Sequence, residues 1–308
     1  MRIVSLLPSA TEIVAALGMA KHLVGRSHEC DWPVGLDHVP VLTQPKMNPQ
    51  ADAAIIDRDV RALVEDGVSV YHLDAEKIRA LDPDVVVTQS QCELCAVSLG
   101  EVERALHDWV TMKEGAARPK LVSLTPMRLT DIAGDIANVA TALGVEAAGD
   151  GVIAHMAAGF AGLRQKTAAL PRKRVFFMEW TAPLMGAGNW MPDVIAAAGG
   201  DVVLGEEGVH SPTVNWADIA AADPDVIIVG PCGFDIARAR AEMALLVGFT
   251  DYQNLRAVQN GDVYIANGNH FFNRPGPRLA QSARIVAEIL HPDHFAPDNQ
   301  GRGWVRHA

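Results

Sequence analysis

Short apolar runs alternate with amphipathic stretches along the chain, and each apolar run ends in polar side chains. Arg2–Leu7 is a strand-length apolar run. Pro8-Ser9-Ala10-Thr11-Glu12 follows, then a helix over Ile13–Leu17 that Gly18 closes. Ser9 or Thr11 can cap that helix; equally, free amides at such a helix start suit a ligand. His22–Gly25 is a second short strand and runs into the dense polar and aromatic loop Arg26–Pro33. Asp57–Glu65 predicts a helix, Val68–Leu73 a third strand and Ala75–Leu81 another helix. The next run is the clearest. Asp82-Pro83-Asp84 is a turn signal, and Val85, Val86, Val87 and Thr88 are all β-branched, as in a strand buried on both faces. The character then changes to Gln89-Ser90-Gln91-Cys92-Glu93-Leu94-Cys95. A parallel strand ending in such a run is where α/β proteins place ligand contacts.

After a helix at Val102–Val110 and a strand at Lys120–Leu124, the pattern turns helical. Ile132, Ile136, Val139, Ala140 and Leu143 recur at helical spacing, and a second helix runs from about Ala147 to Ala169, stopped by Pro171. Strand–helix alternation resumes at Arg174–Met178. It continues through Asp193–Ala198, Asp201–Leu204, Trp216–Ala222, Val226–Val229, Ala237–Leu246 and Val263–Ala266. Pro277–Leu290 predicts a final helix with Pro277 in its first turn, and the residues from His291 read as an irregular tail.

The alternation contains a repeat. Asp82-Pro83-Asp84 recurs as Asp223-Pro224-Asp225, 141 residues on (82 to 223), and the following strand comes 37 residues after Asp84 and 38 after Asp225. The expected architecture is α/β: two Rossmann-like lobes with mostly parallel sheets, joined by one long interdomain helix, with a ligand cleft between the lobes. The boundaries read as 1–127 for the first lobe, 128–171 for the helical segment and 172–308 for the second. A length of 308 residues suits two such units.

Composition narrows the partners. The formal net charge is -11, which argues against a nucleic-acid surface, and no run approaches the ~18 apolar residues of a membrane span. Met1-Arg2 leads straight into the first strand without a leader-like apolar core and cleavage site, so the expected location is cytoplasmic. In such a compartment Cys30, Cys92, Cys95 and Cys232 are expected as thiols, metal ligands or redox groups. No nucleotide-binding glycine motif or nucleophile elbow occurs in a fitting context.

The strand-end loops supply the candidate ligand contacts: Pro8, Ser9, Arg26, Trp32, Gln89, Gln91, Glu179, Trp180, Asn189, Trp190, Phe271 and Arg274. Their aromatic rings suit a large flat ligand; alternatively they seal the interface between lobes. Cys92 and Cys95 form a C-x-x-C, and His28 and Cys30 sit on a neighbouring strand end. This set could hold zinc or, with Cys232, an iron–sulfur cluster, could be a redox pair, or could be packed thiols and a hydrogen-bonded histidine. Arg274 either reaches an anionic group or ties down its loop. Glu101, Glu103 and Glu242, on helices past these loops, belong either to a solvated face or to a docking surface.

The segments RIVSLLPSATEIVAALG at Arg2–Gly18, LVGRS at Leu23–Ser27, DWP at Asp31–Pro33, LDPDVVV at Leu81–Val87 and RPGPR at Arg274–Arg278 resemble substrate-binding proteins of cobalamin and iron–siderophore ABC transporters, members of which are usually periplasmic. The resemblance covers nearly the whole chain and is closest to the cobalamin-binding branch. It implies a non-enzymatic protein of two α/β lobes bridged by one long helix, with a corrinoid or similar metal chelate as ligand and an ABC permease as partner. A glutamate on each lobe would dock on the permease, with Glu103 and Glu242 as approximate candidates. His28–Cys30 and Cys92–Cys95 depart from the general pattern. They keep open a second reading, a cytosolic metal- or thiol-dependent enzyme or metal chaperone on the same fold.

Overall fold

A computed structural model describes residues 1–66, 68–91, 97–112 and 118–307. These divide into two compact units. The first comprises Met1–Ala51, Ile55–Pro126 and Thr130–Ala154; the second comprises Asp52–Ala54, Met127–Leu129 and His155–Ala308.

The first unit opens with β1 (Ile3–Ser5), α1 (Pro8–Ala16) and β2 (Leu23–Arg26). Next come β3 (Thr43–Pro45), α2 (Ala53–Glu65), β4 (Tyr71–Leu73), α3 (Ala75–Leu81), β5 (Val85–Gln89), α4 (Leu99–Met112), β6 (Lys120–Leu124) and α5 (Leu129–Leu143). Its described residues form a four-stranded parallel sheet in the order β2-β1-β5-β6, with Val4 opposite Val86 and Val87 opposite Val122. All five residues of β5 are buried, as the β-branched run predicts. Val4, Leu6, Leu42, Ile78, Val86, Val102 and Leu106 share one core. The expected strand Val68–Leu73 is shorter and placed elsewhere: β4 pairs antiparallel with β3 in a separate two-stranded sheet. The first helix starts earlier than its apolar spacing suggests. Pro8 opens it behind Leu7, and no described side chain, Ser9 and Thr11 included, caps it.

α6 (Glu146–Thr167) is one continuous helix of 22 residues, about 33 Å at 1.5 Å per residue. It starts in the first unit and ends in the second. None of the described helices is long and apolar enough to cross a membrane.

The second unit begins with β7 (Lys173–Met178), β8 (Trp180–Thr181), β9 (Leu184–Met185), α7 (Met191–Ala197), β10 (Gly200–Val202), α8 (Trp216–Ala222) and β11 (Val226–Val229). It continues with α9 (Ile236–Leu246), α10 (Thr250–Gln253), α11 (Arg256–Gln259), β12 (Val263–Ala266), α12 (Leu279–Leu290) and β13 (Trp304–Arg306). Its main sheet runs β10-β7-β11-β12-β13. The first four strands are parallel and repeat the order of the first unit; β13 adds an antiparallel edge to β12. The tail is therefore not irregular throughout. Glu288, 1% exposed, accepts from Asn299 N (3.1 Å), Asn299 Nδ2 (2.8 Å) and Trp304 Nε1 (2.9 Å), which ties the end of the chain to α12. That helix begins at Leu279, two residues after Pro277.

The repeated Asp-Pro-Asp performs the same task in each unit. Asp82 and Asp223 end α3 and α8 in the left-handed region, at φ 45° and 39°, which aspartate tolerates better than most residues. Asp84 Oδ2 accepts from Arg2 N (2.7 Å), and Asp225 Oδ2 accepts from Arg174 N (2.8 Å). The arginine side chains donate back to the preceding helix end, Arg2 Nε to Leu81 O (2.6 Å) and Arg174 Nη2 to Ala222 O (2.6 Å). Each clamp fixes the amino end of the unit's first strand and leaves the carboxyl ends to the loops.

Candidate functional site

In the first unit, β2 delivers Arg26 and then His28 to the carboxyl edge of the sheet. Arg26 turns onto its own loop: Nε donates to Leu36 O (3.2 Å) and Nη1 to Cys30 O (3.0 Å). Those donors hold the loop, so Arg26 acts there as an organiser. His28 is anchored twice on Thr43, whose Oγ1 takes the backbone N–H (3.1 Å) and lies 2.7 Å from Nδ1. Thr43 donates onward to Ser27 Oγ (3.1 Å). The Tyr71 ring packs against the imidazole with centroids 5.4 Å apart, and the Tyr71 hydroxyl donates to Glu29 Oε1 (3.4 Å). Burial pushes the His28 pKa down to about 4, so the ring is neutral at ordinary pH.

Cys30 is 1% exposed, and its sulfur accepts from the Thr11 hydroxyl (3.0 Å). Cys92 and Cys95 lie outside the described residues. Among the described residues no three His, Cys, Asp or Glu side chains gather closely enough to hold a metal ion. Ser9 and Gln89 are buried, and Ser9 Oγ has no described hydrogen-bond partner. Pro8, Trp32 and Gln91 keep partial exposure.

The second unit's edge is built around β7, whose strand ends as Glu179 begins. The Glu179 carboxyl is raised to about 7 by burial, with Ser211 and the Gly188 N–H pulling the other way. Gly188 N lies 3.4 Å from Oε2. Close approach explains that glycine, because a Cβ there would stand 2.3 Å from Ser211 N. Asn189 follows at φ 52°, a conformation asparagine accepts. Its N–H bonds Val209 O (2.7 Å), and its Oδ1 is buried without a described partner.

Trp180 is half-buried. Its Nε1 donates to Ala182 O (2.9 Å), and its ring meets Phe234 at 5.2 Å, with the Arg238 guanidinium 4.1 Å from the Phe234 centroid on its own account. Phe234 is 4% exposed, so Trp180 is the ring of this pair that keeps solvent contact.

Several expected contacts are placed inside. Trp190 is 7% exposed, and its Nε1 donates to Phe272 O (3.3 Å). Phe271 is 4% exposed with the Arg278 guanidinium 5.4 Å from its centroid. Arg274, 5% exposed, donates to Asn269 Oδ1 (2.8 Å). The docking assignment needs one correction. Glu103 is exposed, but Glu242 is 5% exposed and accepts from Ala53 N (3.1 Å) and the Thr181 hydroxyl (3.1 Å), all within the second unit. A carboxylate engaged in this way fastens the interior and is not a surface charge for a partner. The residues that sequence reasoning missed are Thr43 and Tyr71. Each lies far along the chain from the group it serves, and neither sits in a local pattern that marks it.

The duplicated parallel sheets and this strand-edge chemistry agree with a family match. The periplasmic binding protein model aligns with residues 3–269. The chain belongs to that family. It is a family of solute-binding proteins rather than enzymes, so the second reading of the sequence, an enzyme on this fold, draws no support from it. A vitamin B12-binding protein of Pectobacterium atrosepticum is 24% identical over 310 residues, covering 97% of this chain and 91% of that protein. Among solved structures, the periplasmic vitamin B12 binding protein of Vibrio cholerae superposes with a TM-score of 0.64 at 22% identity, over 94% of this chain and 96% of that one. A periplasmic heme binding protein of Pseudomonas aeruginosa gives 0.72 at 19% identity, over 95% and 93%. These periplasmic binding proteins share the two-unit α/β fold with the present chain.

Proposed function

We propose that this protein is the solute-binding component of an ABC transport system and captures a corrinoid or a comparably large metal chelate. The observation that carries the reading is the half-buried Trp180 ring set against Phe234 at 5.2 Å, beside a carboxyl whose pKa burial raises to about 7, so that about half of it is protonated at neutral pH. A planar macrocycle would gain apolar contact from the rings, and a protonated Glu179 would donate to an amide or carboxylate on its rim. The vitamin B12- and heme-binding proteins on the same fold support this ligand class. An ABC permease is the partner that receives the ligand.

The test is titration of the purified chain with aquacobalamin and, separately, hemin, while tryptophan emission and the visible spectrum are recorded. Saturable quenching at micromolar concentrations is expected for at least one of them, weakened by Trp180→Ala. Absence of quenching with both would overturn the reading.

A further inference from the structure

We propose that Glu242 is a positioning residue for ligand capture: its buried carboxylate, fixed on the first amide of α2, holds the β8–β9 hairpin so that the Trp180 ring is presented to the ligand. This rests on the function proposed above and places control of its main aromatic contact in a residue that touches no ligand. Trp180 and Thr181 are neighbours in β8, so their side chains lie on opposite faces of the strand. Thr181 is 3% exposed, whereas Trp180 is half-buried. The Thr181 hydroxyl donates to Glu242 Oε2 (3.1 Å). A bond that holds Thr181 inward holds Trp180 outward. The indole Nε1 donates to Ala182 O (2.9 Å) within the same hairpin, so the ring travels with it.

Glu242 is 5% exposed, and its Oε1 accepts from Ala53 N (3.1 Å). Ala53 opens α2, so its N–H has no partner within that helix. It also belongs to the positive end of the helix dipole, which favours a carboxylate. A backbone amide at a helix start cannot swing as a side-chain donor can. It fixes the carboxylate and directs Oε2 at Thr181. An apolar side chain at 242 would fill the same interior without the cost of burying a charge, but it could not join these two donors. Arg238, about one turn earlier on α9, lies over the Phe234 ring at 4.1 Å from its centroid. One helix thus steadies both members of the Trp180–Phe234 pair.

The test uses full-length protein, with aquacobalamin and hemin as probes and Kd read from the visible spectrum. Glu242→Ala and Thr181→Val should each weaken binding about tenfold in the otherwise wild-type chain. In a Trp180→Ala chain, which has no ring left to position, the same changes should cost less than about twofold. Ala53→Pro removes the amide proton at a helix position that accepts proline, and should show the same dependence on Trp180. In ligand-free protein the Trp180 share of the emission, wild type minus Trp180→Phe, should become more open to acrylamide in all three variants. Should Glu242→Ala fail to fold, Thr181→Val and Ala53→Pro decide. Undiminished affinity in those two, or a loss of equal size with and without Trp180, would overturn the assignment and leave the proposed function standing. Absence of binding of both probes to the wild-type protein would overturn both.

Discussion

Glu179→Gln tests the electrostatics of the second unit's sheet edge. The folded carboxyl titrates near 7 against an ordinary 4.5, and burial is the first cause. Because the folded value is raised, folding holds a proton that the unfolded chain releases from about pH 4.5 upward. Stability is greatest below that point, declines as pH rises from about 4.5 to 7, and levels off above. At about 1.4 kcal/mol for each tenfold difference in proton affinity, the full penalty is roughly 3 kcal/mol. Partial solvent contact trims that to about 2 kcal/mol. Glutamine keeps the shape and cannot ionise. Thermal unfolding followed by tryptophan emission at pH 5, 6, 7 and 8 should show the wild-type midpoint falling by several degrees more than that of Glu179→Gln over the same window. Parallel curves would refute both the raised carboxyl and the view that it meets a ligand in its neutral form.

Two further outcomes follow from other contacts. Glu288→Ala strips the acceptor from Asn299 and from Trp304 Nε1, and the stranded donors should cost about 3 kcal/mol or more; hydrogen exchange should show β13 losing protection well ahead of β7 and β11. Gly188→Ala drives a Cβ to 2.3 Å from the backbone nitrogen of Ser211; a loss of roughly 1–3 kcal/mol in denaturant unfolding is expected, with weakened chelate binding because Asn189 and Glu179 flank the shift.

Strand β5 was readable because four adjacent β-branched residues between a turn and a polar run leave little else to form. The two Asp-Pro-Asp turns were readable because the same letters meet the same geometry twice. The separate pairing of β4 with β3 was not, since Tyr71–Leu73 carries the same apolar signal whichever partner it finds. Nor was β13, three residues whose placement depends on Glu288 in a distant helix. At the candidate site, sequence placed Trp190, Phe271 and Arg26 at strand ends but could not say which way they face. The Phe272 carbonyl draws the Trp190 indole inward, and the loop's own carbonyls occupy Arg26. Glu242 looked like a surface charge because helical spacing does not reveal that Thr181 and Ala53 converge on it.

The two arginine–aspartate clamps have an evolutionary consequence. Each secures its sheet at the pole opposite the loops, so substitutions in those loops strain the frame little. Selection can therefore retune ligand preference on one half of the protein while the other half keeps its chemistry. The duplicate also provides a built-in comparator: Asp84→Asn and Asp225→Asn make the same chemical change in two backgrounds. The difference between their effects would measure how unequally the two units depend on the same clamp.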